Sequence, residues 1–72
     1  MFEIYGDYAT TDETLLAEFD YVTEAIRWVN EYTRWGDFGG YDRIEVISFA
    51  DDGEAITHYQ VQAESEYEFD EY

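Results

Sequence analysis

Apolar and polar residues alternate along Phe2-Glu3-Ile4-Tyr5-Gly6-Asp7-Tyr8, which predicts a strand with Phe2, Ile4 and Tyr8 facing inward. Glu3, Tyr5 and Asp7 then face outward. Thr10-Thr11-Asp12-Glu13 reads as a turn, after which Thr14 to Asp20 resumes alternation with Leu15, Ala17 and Phe19 on one side. The two runs form a hairpin. The period then changes. From Thr23 to about Trp35, at 100° per residue, Val22, Ala25, Ile26, Val29, Tyr32 and Thr33 fall on one side, the stripe of a helix packed on a sheet. Thr23 is the expected N-cap, Glu24 complements the dipole in the first turn, and Gly36 stops the helix in a left-handed conformation.

The stretch from Gly36 to Asp42 holds three of the five glycines and reads as a flexible loop. Arg43 to Ala50, with Ile44, Val46, Ile47 and Phe49, is the strongest strand signal. Asp51-Asp52-Gly53-Glu54 is a turn, and Ala55 to Gln62 alternates again with Tyr59 and Val61 on one face. The expected fold class is therefore α+β: a β-β-α-β-β chain, with a four-stranded antiparallel sheet and one helix on one face. Residues 1–62 form a single domain. Residues 63–72 form an acidic, aromatic C-terminal extension or tail, which continues an edge strand or folds on a basic partner.

At 72 residues, with no cysteine and no proline, the chain holds at most one domain and has no disulfides to brace it. Its fold must rest on apolar burial, to which eight Tyr, five Phe and two Trp contribute. Trp28 and Trp35 either pack beneath the loop carrying Phe38 and Tyr41 or anchor an interface. There is no apolar run of membrane-spanning length and no signal-peptide pattern at Met1-Phe2-Glu3, so the expectation is a cytoplasmic protein with no membrane partner.

Catalytic chemistry has few residues to draw on. His58 is the single histidine and Ser48 and Ser65 the only serines, so no nucleophile, base and orienting acid assemble from the sequence, and no enzyme activity is expected. The acidic turn at Asp51-Asp52-Gly53-Glu54 fails as a calcium loop. With Gly53 as the sixth residue, the first ligand would be Ser48 and the bidentate twelfth would be Tyr59. Neither a metal nor a cofactor is expected.

Charge changes the picture most. Nineteen acids stand against Arg27, Arg34 and Arg43, with no lysine, for a formal net charge of -16. Direct binding to nucleic acid or an anionic membrane is disfavoured, because both require cations to displace counterions. The expected partner is instead a basic protein. Alternation places Glu3, Asp7, Glu18, Asp20 and Glu45 on the helix-free face, interspersed with Tyr5, Ile47 and Phe49 and joined by Asp51, Asp52 and Glu54. Carboxylates spaced about 6 to 7 Å apart along strands approach the spacing of successive phosphates. The tail adds Glu64, Glu66, Tyr67, Glu68, Asp70 and Glu71 to the candidate contact set. A one-residue register error in a strand would move its acids to the buried side.

A small, single-domain, lysine-free, tyrosine-rich chain with this acidity resembles, in composition, the phage-encoded DNA-mimic inhibitors, including anti-CRISPR and anti-restriction proteins. That resemblance implies a stoichiometric inhibitor whose carboxylates replace phosphates in the nucleic-acid site of a bacterial defence nuclease or effector complex. It assigns no functional residue. The alternative expectation is an acidic interaction module that regulates a basic partner without entering its nucleic-acid site.

Overall fold

The computed structural model describes residues 1–63. They form β1 (Phe2–Gly6), β2 (Thr14–Phe19), α1 (Val22–Tyr32), β3 (Arg43–Phe49) and β4 (Ala55–Gln62). The strands make one antiparallel sheet in the order β2-β1-β3-β4, so the fold is α+β as the alternation predicts. The chain leaves the β1–β2 hairpin at its edge, crosses as α1, and returns beyond β1 to begin the β3–β4 hairpin. The helix packs over β1, β2 and β3.

The core lies between α1 and the sheet. Ile4, Ala25, Val29, Ile44 and Val46 are fully buried there, with Phe2, Leu16, Trp28, Tyr41, Tyr59 and Val61 packed around them. Five such side chains of Val and Ile size or smaller make a thin core. The half-buried aromatic ring around it therefore carries much of the apolar burial, at about 25 cal/mol per Å². At 11 residues, α1 is too short and too polar to cross a membrane, and no helix among the described residues can do so.

Several local expectations are corrected. β1 ends at Gly6, so Tyr8 lies in the turn and not on the inner face of a strand. In β2, Ile4 pairs with Ala17 but Tyr5 pairs with Leu15, so the register skips Leu16. This bulge turns Leu16 onto the core and leaves Leu15 46% exposed, the reverse of strict alternation. The helix begins one residue before Thr23. Tyr21, extended at φ -123°, occupies the N-cap position without a side-chain cap bond. Regular helix ends at Tyr32, and a turn through Thr33 to Trp35 delivers the chain to Gly36 at φ 81°.

The glycine-containing loop is held at several points. Phe38 and Tyr41 pack against the core, and Gly39 N–H donates to Asp37 Oδ1 at 2.9 Å. The two tryptophans part company. Trp28 is half-buried and stacks on Tyr32 with centroids 4.8 Å apart, whereas Trp35 is 82% exposed with the Arg34 guanidinium 4.8 Å above its ring. The pairing of β3 with β4 skips His58, and this second bulge brings Tyr59 opposite Val46 and Thr57 opposite Ile47.

Candidate acidic interface

The β1–β2 turn is built around its acids. Asp7 and Ala9 adopt positive φ, 53° and 68°. Thr10 Oγ1 donates to the Asp7 carbonyl at 2.6 Å and accepts from Asp12 N–H at 3.1 Å, and Glu13 Oε1 accepts from Ala9 N–H at 2.9 Å. The Asp7 carboxylate accepts from the backbone N–H groups of Asp42 and Arg43, at 2.9 and 3.1 Å. Asp7 is therefore a half-buried clamp between this turn and the start of β3, not an outward-facing strand acid. A shallow pocket of about 180 Å³ between Asp7, Thr10, Asp12, Asp42, Arg43 and Gln62 marks the junction.

The helix-free sheet face departs further from the expected row of free carboxylates. Register places Glu3, Tyr5, Leu15, Glu18, Glu45 and Ile47 on this face. Glu45 is buried. Its Oε2 lies 2.6 Å from Arg43 Nε, and its Oε1 accepts from Thr57 Oγ1 at 3.2 Å. Arg43 Nε lacks hydrogen-bond geometry despite that closeness, so the contact is an ion pair, while Nη2 donates to the Tyr8 carbonyl at 2.8 Å. Both residues stand two apart on one strand, where side chains share a face, and this neutralises the central carboxylate from within. Ile47 is completely buried beside them, and Phe49 is 43% exposed.

Glu3 and Glu18 are the remaining strand acids, and they are direct cross-strand partners. Like charges so placed oppose each other. Tyr5 partly compensates by donating its hydroxyl to Glu3 Oε1 at 2.7 Å. That bond, followed by burial and by the nearby charges of Glu3 and Glu13, pushes the Tyr5 pKa up to about 12. A raised folded-state value favours the neutral phenol. The contribution of Tyr5 to stability is thus complete below the ordinary value of about 10 and is lost as pH climbs from there through 12. In a tyrosinate absorbance titration, the ionisation step near pH 12 should be present in the native chain and missing from Tyr5→Phe. An unchanged titration would contradict this assignment.

Asp20 lies beyond β2, in the exposed connector to α1, so it too is absent from the sheet face. It falls at the same end of the sheet as the β3–β4 turn, where Asp51, Asp52 and Glu54 are exposed and Glu54 N–H donates to Asp52 Oδ1 at 3.0 Å. Three strand spacings, about 14 Å, separate β2 from β4 across that end. The exposed acids Asp12, Glu13 and Asp42 occupy the opposite end, where the chain continues past Ala63, whose N–H donates to the Asp42 carbonyl at 2.9 Å. Glu64, Glu66, Tyr67, Glu68, Asp70 and Glu71 lie outside the described residues. Among the described residues the acids of the sheet and its turns thus gather at its two ends, with the Glu3–Glu18 pair beside the end that holds Asp20, in place of a continuous row.

Two arrangements were not foreseen. Ser48 Oγ and His58 Nε2 lie 2.7 Å apart across the second bulge, with Phe2 set edge-on to the imidazole at 5.0 Å. The ten-residue spacing across the hairpin turn was the available signal. Among the described residues no acid hydrogen-bonds the other ring nitrogen, so the pair lacks the orienting group that a catalytic triad uses. The second is an open groove of about 390 Å³ on the helix side, lined by Phe19, Glu24, Arg27, Trp28 and Glu31. Glu31 there pairs with Arg34 at 2.8 Å, and Arg27 makes no ion pair among the described residues. Comparison with protein-family models, with curated proteins and with solved structures finds no match to this chain.

Proposed function

We propose that this chain is a stoichiometric protein inhibitor that acts as a nucleic-acid mimic, competing for the basic DNA- or RNA-binding site of a host defence enzyme such as a CRISPR effector complex. One observation carries the reading. Of the three positive side chains, Arg34 pairs with Glu31 and Arg43 with Glu45, and among the described residues none of the three forms an ion pair with Asp12, Glu13, Asp20, Asp42, Asp51, Asp52 or Glu54. Such clusters attract a basic groove over long range and accelerate encounter, while the exposed rings Phe49 and Tyr21 add contact area that slows release. Asp20, Asp51, Asp52 and Glu54, about 14 Å across, form one patch, and Glu3 with Glu18 lie beside it.

A second reading draws on Trp35, which is exposed beneath Arg34 just beyond the C-terminal end of α1. Tryptophan and arginine are enriched at interface hot spots. A module that regulates a basic partner through this side would leave the partner's nucleic-acid site open.

Affinity capture from bacterial lysate containing restriction and CRISPR enzymes, with duplex DNA as competitor and salt elution, separates the two. Mimicry predicts a nucleic-acid enzyme that DNA displaces. It also predicts that Asp20→Asn, Asp51→Asn, Asp52→Asn and Glu54→Gln together lower the association rate for that enzyme by about 10-fold or more at low salt. A captured partner that DNA does not displace, and whose binding Trp35→Ala weakens, assigns the second reading instead.

A further inference from the structure

β4 is the last strand of the sheet, and among the described residues nothing pairs with its outer edge. An exposed edge of eight residues is normally guarded by charge, proline or shortness, since its free N–H and C=O groups template another strand. β4 has none of these three, and the bulge at His58 is the one edge guard it carries. Ala55-Ile56-Thr57-His58-Tyr59-Gln60-Val61-Gln62 carries no acid, lysine, arginine or proline, and with Ala63 it is the longest acid-free run in a chain that has 19 acids. The bulge at His58 is the only interruption in its pairing with β3.

The ground beside that edge is also suited to a further strand. α1 lies mainly over β1, β2 and β3, so the helix-side flank of β4 is only partly covered: Ile56 is 45% exposed there while Tyr59 and Val61 are half-buried. Tyr59 is fixed by a 2.7 Å hydrogen bond to Asn30 Oδ1. An added strand would lay apolar side chains at alternate positions against this shelf. Exposed acids lie at both ends of the run, with Asp51, Asp52 and Glu54 before it and Asp42, whose carbonyl accepts from Ala63 N–H, at its far end. In an antiparallel pairing of two copies, these flanks would meet acid to acid, so charge disfavours a second copy and favours a segment with basic ends.

We propose that the open edge of β4 is a strand-addition site for an extended partner segment that has apolar side chains at alternate positions and lysine or arginine at both ends. Main-chain hydrogen bonds supply the binding, the Ile56–Val61 shelf reads the alternate side chains, and the flanking acids read the ends. The proposal rests on the reading of a basic partner only for the charge of those ends. Its test contains no nucleic acid, so either can fail alone.

The probe is a capped peptide of alternating threonine and valine between two lysines at each end, added to the full chain. Two isomers carry N-methyl groups, one on the threonines and the other on the valines. Residues of an added strand present alternate N–H groups to β4, so one isomer should lose three bonds. At about fivefold each, that is about 100-fold in affinity, while the other isomer should stay within about threefold of the parent. Replacing the lysines by glutamate should abolish binding, and the parent peptide should slow hydrogen exchange at alternate β4 amides. Equal losses from both isomers, no binding at about 1 mM parent peptide, or equally tight binding of the glutamate peptide would overturn the proposal. So would β4 amides fully protected before any peptide is added, which would mean that the edge is already occupied by a second copy or by the chain itself.

Discussion

Replacing Gly6 by alanine is expected to destabilise the domain by about 2 kcal/mol, lowering Tm by on the order of 10 °C. Gly6 is buried on the helix side of β1, between Thr14 of β2 and Ile44 of β3. A Cβ there would lie 2.6 Å from Cγ and Cδ1 of Tyr41 and 2.9 Å from Cδ2, so the ring rests directly on the glycine backbone. The ring has little room to retreat. Tyr41 packs against the core, and the next two residues are clamped by the Asp7 carboxylate. Gly6 has no positive φ, so the cost is spatial, and the strand preference for alanine over glycine, about 0.5–1 kcal/mol, works against it. Urea denaturation of Gly6→Ala, Tyr41→Leu and the double variant tests the cause. If the clash dominates, the double variant loses clearly less than the sum of the singles. Additive losses, or a Gly6→Ala midpoint equal to that of the native chain, would place the constraint elsewhere.

Much of the fold was legible because each strand carries its own period. Phe2 and Ile4, Ile44 and Val46, and Tyr59 and Val61 face the helix as alternation requires, and β4 spans Ala55–Gln62 as expected. Errors arose where a bulge interrupts the period. Leu15 and Leu16 offer two equivalent apolar neighbours, and only pairing with the already fixed Ile4 and Tyr5 selects Leu16 for the core. Tyr8 fits an extended strand on paper, yet Asp7 turns the chain at positive φ to reach the backbone of residues 42 and 43. That contact spans 35 residues and leaves no trace in a local pattern.

The acidic surface was less legible than the fold, for a related reason. Alternation tells which face a side chain takes but not what meets it there. Glu45 and Arg43 share a face by their spacing of two, so an internal pair was readable, but its burial depends on Ile47 and Thr57 from the assembled sheet. Asp20 lay one residue beyond the strand to which it was assigned. Glu3 and Glu18 were placed correctly, while their direct opposition follows from a register that the sequence does not contain. Charge total is thus a property of composition, whereas the two-ended distribution is a property of topology.

The second large effect concerns that internal pair. Arg43→Met should cost about 3 kcal/mol, the lower part of the range for stranding one partner of a buried ion pair, because the Arg43 side chain is itself 33% exposed. The substitution leaves the Glu45 carboxylate, 8% exposed, with Thr57 as its remaining hydrogen-bond donor and removes the donor to the Tyr8 carbonyl. A chain of 72 residues has a total stability of roughly 4–10 kcal/mol, so the variant should be partly unfolded at moderate urea where the native chain is intact. Arg43→Met with Glu45→Met should recover most of the loss, since a buried pair replaced by apolar side chains of similar volume is often neutral. A double variant no more stable than the single would show that the pair is not the source of the effect. The same double variant also separates stability from function. Arg43→Met moves the net charge from -16 to -17 and Glu45→Met returns it to -16, while both terminal acid clusters are untouched. If those clusters engage the basic partner, the double variant binds it as the native chain does, and a lost interaction would instead assign the sheet centre to the interface.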